Sequence, residues 1–441
     1  MTTTSQKSNS LVPMIVIAGL FFIFGFVTWI NGALIPFMKT INELTDAQSY
    51  LVASASYISF VAMALPSSYI ISKLGYKKGM SLGLIIMAVG ALVFIPAAEA
   101  RTYWVFLSGI FIQGLGMTIL QTASNPYITI LGPIESAAKR ISIMGIANKS
   151  AGALGSFIFG ALLLSGIDEI QEKLSLVDEV EKNALLQEMA NSVVLPYIVM
   201  AVVLFVLALL INKAPLPNVE ADEIEETEKE PGMVRTKKTS IFQFPHLWLG
   251  VLTLFLYVGV EVIAGDTIIS YGISLGMSGE EAKGFTFMTL MAMVGGYILG
   301  VILIPKYLNQ TTALKISAIL GIVFGIGIIS FTGFISVLFV AALGFANALV
   351  WPAIWPLALK GLGKFTETAS AMLVMAISGG AIIPPLYGYL VDRNKAELIQ
   401  SGVEQSVATA EAATSSYWIL FPCYAFILFY AMYGHKVGLK K

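Results

Sequence analysis

The chain has 441 residues, of which 57% are hydrophobic and only 12% charged, with a formal net charge of −1. A soluble domain carries about 25% charged residues, so this apolar excess points to a membrane protein that crosses the bilayer many times. The near-neutral balance argues against nucleic acid as a partner. A single cysteine, Cys423, excludes an intramolecular disulfide and a cysteine-based metal site.

Crossing the hydrocarbon takes about 20 apolar residues. Twelve runs qualify, here called helices 1 to 12 in chain order. The first six lie near 12–38, 48–72, 79–98, 103–131, 140–165 and 192–212. The second six lie near 246–275, 285–305, 313–332, 335–359, 368–391 and 416–434. The first ten residues are polar and no small-residue cleavage pattern follows, so helix 1 reads as a retained helix and not a signal peptide. Residues 213–244 hold Pro215, Pro217, an acidic run from Glu220 to Glu230, then Arg235, Lys237 and Lys238. Such a stretch buries too little apolar surface to form a domain. It reads as a hydrophilic connector between one six-helix bundle over 1–212 and another over 245–441. The expected fold is all-α, with twelve transmembrane helices in two six-helix pseudo-repeats.

Lys and Arg set the orientation. With the N-terminus inside, the outer side receives only Lys39, Arg101, Lys173, Lys182, Lys283, Arg393 and Lys395. Lys73, Lys77, Lys78, Lys139, Arg140 and the basic end of the connector fall inside, so both termini are expected to be cytoplasmic. Helices 5 and 11 also align with each other without a gap. Ser142, Met144, Ser150, Gly152, Ala153, Gly160 and Leu162 fall on Ser370, Met372, Ser378, Gly380, Ala381, Gly388 and Leu390. A weaker alignment of helices 1 and 7 sets Gly25 on Gly259 and Gly32 on Asp266. Two repeats of six helices suit a transporter that rocks its bundles about a midplane site.

Well inside the apolar runs only three charges occur: Lys149, Glu261 and Asp266. A charge at bilayer depth costs at least roughly 2.5–3.5 kcal/mol, so it persists where it pairs, faces water or binds something. In helix 7, Tyr257 and Glu261 share a face, while Asp266 lies about 140° further round an ideal helix. Asp266, Thr267, Ser270 and a freed carbonyl could supply part of the oxygen set that a metal cation needs. Either acid could instead carry a proton, or form a static ion pair with Lys149.

Helix 4 sets Gly114, Thr118, Gln121 and Asn125 on one face, followed by Pro126. That stripe reads as helix packing or as a wall facing water. Helix 10 carries Gly344, Asn347, Trp351 and Trp355 with Pro352 and Pro356, and helix 1 carries Thr28, Trp29 and Asn31. Amides exchange hydrogen bonds with hydroxyls, and indole faces cover the C–H side of a sugar ring. No charged stripe suits a carboxylate or phosphate substrate, so a neutral polyol is expected. The runs hold no nucleophile–base pair, and His246 and His435 sit at run ends, so no enzyme is expected.

The segments FFIFGFVTWINGALIP (21–36), QTASNPYITILGP (121–133), IANKSAGALG (146–155), YVGVEVIAGDTI (257–268) and MAISGGAIIPPLYGYLVD (375–392) span both halves. Together they give a chain that resembles the fucose–galactose–glucose symporter family of the major facilitator superfamily, most closely its glucose/galactose branch. SYIISKLGYKK (68–78) is a degenerate form of the general superfamily motif. The resemblance implies a twelve-helix fold, alternating access and sugar uptake coupled to a cation; the expectation is a monomer in a bacterial inner (plasma) membrane, with no cofactor, taking up a neutral hexose. Sugar contacts would come from Trp29, Asn31, Gln121, Asn125, Tyr257, Asn347 and Trp351, and ion coupling from Asp266, Glu261 and Lys149.

One departure matters. Where fucose–proton symporters of this family carry acids in helices 1 and 4, this chain has Gly32 and Gln121. Their proton route therefore does not transfer. Because a fixed cation site needs a carboxylate but no tuned acidity, sodium is placed slightly ahead of the proton. Proton-coupled or uniport movement of mannose, N-acetylglucosamine or fucose is the alternative reading. A non-transporting sensor is remote, because the connector and tail are short.

Overall fold

The computed structural model describes residues 11–130, 137–214, 240–304, 307–362 and 365–439, leaving out the side chains of 11–13, 125–130, 137–142, 366 and 367. Most of the connector, and Asn125 and Pro126 as side chains, lie outside the described residues. The fold is helical throughout these residues, with apolar side chains such as Ile15, Leu65 and Leu195 exposed on the outer surface. That shell suits hydrocarbon and not water, which makes the protein a multi-pass membrane protein.

Among the described residues, eleven helices are long and apolar enough to cross a membrane. One of them, Leu51–Glu99, holds two crossings. Its main part, Leu51–Leu92, is interrupted at Gly75, where φ 76° and ψ 164° lie outside the helical region and turn the chain back. A side chain with a Cβ rarely adopts that φ. The twelve expected crossings are thus all present. Helix 12 is preceded by Gln405–Ser415, an Ala-rich segment more polar than the run that marked the crossing. Propensity extends it beyond the hydrophobic signal.

Four helices break near mid-membrane. Helix 1 runs Leu11–Trp29 and Asn31–Ile41, and helix 7 runs Pro245–Asp266 and Ile268–Ser274. Helix 10 runs Gly333–Asn347 and Val350–Leu359. Pro352 accounts for that break: it lacks an N–H, and its ring crowds the carbonyl of Ala348. Helix 11 passes from Thr366–Met375 through a tight turn, Ala376–Ser378, to Gly379–Gln400. The breaks surround the site described below.

The two halves pack by the same rule. A Cβ on Gly25 of helix 1 would collide with the Asn148 carbonyl of helix 5. In the second half a Cβ on Gly259 of helix 7 would collide with Ile383 of helix 11, and one on Gly379 with the Phe255 carbonyl. Without a hydrophobic drive between helices in lipid, such small residues let backbones approach.

The described ends of the two bundles, at Leu11, Ala214, Ser240 and Leu439, lie on one face, the terminal face. On the opposite, far face the halves are tied together. Ser54 Oγ donates to Ala381 O at 2.6 Å, and Asp392 and Asp168 accept backbone N–H groups across the divide. A Cβ on Gly160 would collide with the Lys283 carbonyl. The far face is closed.

Candidate functional site

Between the halves lies a cavity of about 140 Å³, walled by helices 1, 2, 4, 5, 7, 8, 10 and 11. Roughly 10–15 Å³ of such space holds one water, so this volume suits a small molecule of about a dozen heavy atoms.

Lys149 and Glu261 stand on this wall and pair across the two halves, Nζ to Oε1 at 2.9 Å. Lys149 Nζ also lies 4.2 Å from the Trp29 ring centroid, a cation–π distance. They are the charged residues of the wall, and they neutralise each other. Trp29, Gln121, Tyr257 and Trp351 line the cavity as well. Trp351 stacks on Trp355 with ring centroids 5.3 Å apart, which fixes its indole plane.

The helix 4 stripe divides between its two readings. Thr118 is fully buried and donates to the Gly114 carbonyl at 2.8 Å, and Gly114 packs on Ser59 of helix 2. Gln121, one turn on, reaches the wall.

Two expected sugar contacts do not line the cavity. Asn347 is fully buried, its Oδ1 accepting from Tyr424 Oη at 2.9 Å. Asn31 is buried with its side-chain amide facing Asp266. Both are removed from the wall because the breaks in helices 10 and 1 turn them into the protein. Conversely, Asn148, Ser56, Tyr57 and Tyr297 line the cavity without having been singled out. Asn148 carried a signal, an amide beside the lysine at bilayer depth. Serine and tyrosine are too common in membrane helices to stand out.

Asp266 is fully buried and off the cavity wall, with its carboxyl facing the Asn31 amide. Lys149, Glu261 and Asn31 all act on it electrostatically. Ser270 Oγ, one turn further, is also buried and faces the Tyr50 hydroxyl, whereas Thr267 Oγ1 donates to the Ile263 carbonyl at 2.7 Å. Just before the break, the Gly265 and Ala264 carbonyls accept from Thr286 Oγ1 at 2.7 Å and Thr289 Oγ1 at 3.0 Å. Trp29 links the two regions: its ring closes on Gly152 of helix 5 and on Gly265, next to Asp266.

Gly32, where fucose–proton symporters carry an acid, has no room for one, since a Cβ there would collide with Thr286 Oγ1. We expect Gly32→Asp to lower the melting temperature in detergent without adding a second proton step. An unchanged melting temperature would show that the contact with helix 8 yields easily.

Known proteins share this arrangement. Residues 17–385 match the Major Facilitator Superfamily model. The chain is 33% identical over 439 residues to a glucose/galactose transporter of Brucella abortus biovar 1 (strain 9-941), covering 99% of this chain and 97% of that one. It is 28% identical over 393 residues to the L-fucose-proton symporter of Escherichia coli (strain K12), covering 88% of each. The solved structure of the transporter FucP in its outward conformation matches with a TM-score of 0.69 at 25% identity, over 96% of this chain and 99% of that one. With its twelve crossings in two repeats and its pocket between them, the chain belongs to the fucose–galactose–glucose symporter family of the Major Facilitator Superfamily.

Proposed function

We propose that this transporter, which is no enzyme, takes up a neutral hexose such as glucose or galactose by alternating access, in symport with a proton. The observation that carries the substrate class is the wall itself. Its charges are paired with each other, and the rest is indole, phenol and amide. An anionic or cationic substrate would leave that pair unbalanced, whereas hydroxyls can hydrogen-bond to it and to Gln121 and Asn148. The names of the relatives, glucose/galactose transporter and L-fucose-proton symporter, agree with a sugar.

The surroundings of Asp266 favour the proton over sodium, against the slight preference drawn from sequence. A sodium ion at the break in helix 7 would draw on the freed Ala264 and Gly265 carbonyls, which already accept threonine hydroxyls. Its remaining protein ligands would be Asp266 and Ser270, fewer oxygens than a hard cation takes. Asn31 turns its amide toward Asp266, and an N–H group there repels a cation. Fully buried and removed from the Lys149–Glu261 pair, an ionised carboxylate at this depth is costly, and a neutral acid much less so. Asp266 therefore suits a proton carrier, and the proton-symporter relatives point the same way.

Coupling runs through Lys149. Bonded to Glu261, it also lies within electrostatic reach of Asp266. Release of the Asp266 proton creates a second negative charge that competes for the lysine and loosens its bond to Glu261 at the cavity wall. Trp29, touching both the cavity and Gly265, carries the change in geometry. The positive-inside bias makes the terminal face cytoplasmic, so this state is open inward, with both termini in the cytoplasm.

Sugar counterflow in proteoliposomes, with no ion gradient, tests the substrate class. Exchange of labelled glucose or galactose is the expected result, and no exchange of either would remove both. Trp351→Ala should raise the half-saturating sugar concentration about tenfold, the equivalent of about 1.4 kcal/mol of lost ring contact, without altering ion dependence. An unchanged value would take Trp351 out of the site.

A further inference from the structure

The closed far face is held by two contacts that repeat across the molecule. Helix 2 is entered through a short turn, Asp46–Ser49, capped by Thr45. Helix 8 is entered through a matching turn, Gly279–Ala282, capped by Ser278. Both turns carry a capping box, Thr45 with Gln48 and Ser278 with Glu281, so the cap side chain takes the third amide of the turn. The first two amides remain, and in each turn a carboxylate of the opposite half takes them. Asp392, at the outer end of helix 11, accepts from the N–H of Asp46 at 3.2 Å and of Ala47 at 2.8 Å. Asp168, just beyond helix 5, accepts from the N–H of Gly279 at 2.9 Å and of Glu280 at 3.4 Å.

The two contacts are reciprocal: helix 11 of the second half caps helix 2 of the first, and the end of helix 5 of the first caps helix 8 of the second. Each is flanked by a glycine that permits close approach. A Cβ on Gly388 would collide with the Tyr50 ring, and one on Gly279 with Ile167. A carboxylate on free helical N–H groups is a charge-assisted bond that also meets the positive end of the turn. When the halves part, water can satisfy the same amides, so each bond breaks and re-forms at small cost.

We propose that Asp168 and Asp392 are paired latches that hold the far face shut, and that both must release before the transporter opens outward. They touch neither sugar nor the coupling ion; they set the balance between the two states. The proposal rests on the alternating-access reading, but its test needs no sugar and no ion gradient, so either can fail alone.

The test uses the full chain with its single cysteine removed as Cys423→Ser. Nitroxide labels are placed at Leu176→Cys on the outer loop of the first half and Ala396→Cys in the outer end of helix 11, both exposed. Electron–electron distance measurements are then made without and with Asp168→Ala and Asp392→Ala. Loss of a cap shifts an equilibrium about fivefold, and distant sites act additively. Each single change should enlarge the long-distance population relative to the short one about fivefold, and the double change more than either. An unchanged distance distribution in the double variant overturns the proposal. If the double variant does not fold, unchanged distributions in both single variants overturn it equally.

Discussion

Asp266→Asn is expected to abolish accumulation of sugar against its gradient, bringing the ratio of internal to external sugar down to one, while counterflow persists. The asparagine is nearly isosteric, so the packing of helix 7 against Trp29 through Gly265 is kept. It cannot take up or release a proton. Lys149 then has one acid to pair with in every state, and sugar exchange loses its link to the proton. Both readouts come from the same proteoliposomes, with and without an imposed gradient. Accumulation at the level of the unaltered protein would remove Asp266 from coupling. Loss of counterflow along with accumulation would assign it a structural role instead.

The second large effect is on the ion pair. Lys149→Met leaves Glu261 buried and unpaired, and breaking one partner of such a pair costs about 3–5 kcal/mol. The melting temperature in detergent should fall markedly. Adding Glu261→Gln removes the stranded charge, so the double variant should recover most of the lost stability. It should not recover sugar affinity, because the polar pair on the cavity wall is gone. If the single variant melts like the unaltered protein, the pair is solvated and not an element of the closed core. If the double variant binds sugar normally, the pair does not contact the substrate.

Much of the fold was legible in the sequence, because hydrocarbon thickness imposes a run length that composition reveals directly. The repeat was legible in helices 5 and 11, where glycines at close helix contacts must recur if the two halves pack alike. Helix 2 and helix 3 read as two runs, and the structure joins them through the positive φ of Gly75. Two of the three intramembrane charges, Lys149 and Glu261, lie on the wall of the candidate cavity, since a side chain that is costly to desolvate is kept at that depth for pairing, for solvation or for binding. Which acid took the lysine was not legible: both lie on helix 7, and the choice depends on how helix 5 is rotated against it. The positions of Asn31 and Asn347 were hidden for a related reason. A helical period places a residue on a face, but the breaks at Ile30 and after Asn347 rotate that face partway along. The threonines that cap the carbonyls before Asp266 come from helix 8, a contact no spacing within helix 7 could reveal, and they reverse the preference for sodium.

The most direct test of the account is uptake of labelled glucose and galactose into proteoliposomes under an imposed proton gradient in sodium-free buffer. A sodium gradient at equal pH serves as the matched comparison. Proton coupling through Asp266 predicts accumulation under the first condition, lost in Asp266→Asn, and only equilibration under the second. Accumulation driven by sodium alone would contradict it and place a metal cation at the break in helix 7.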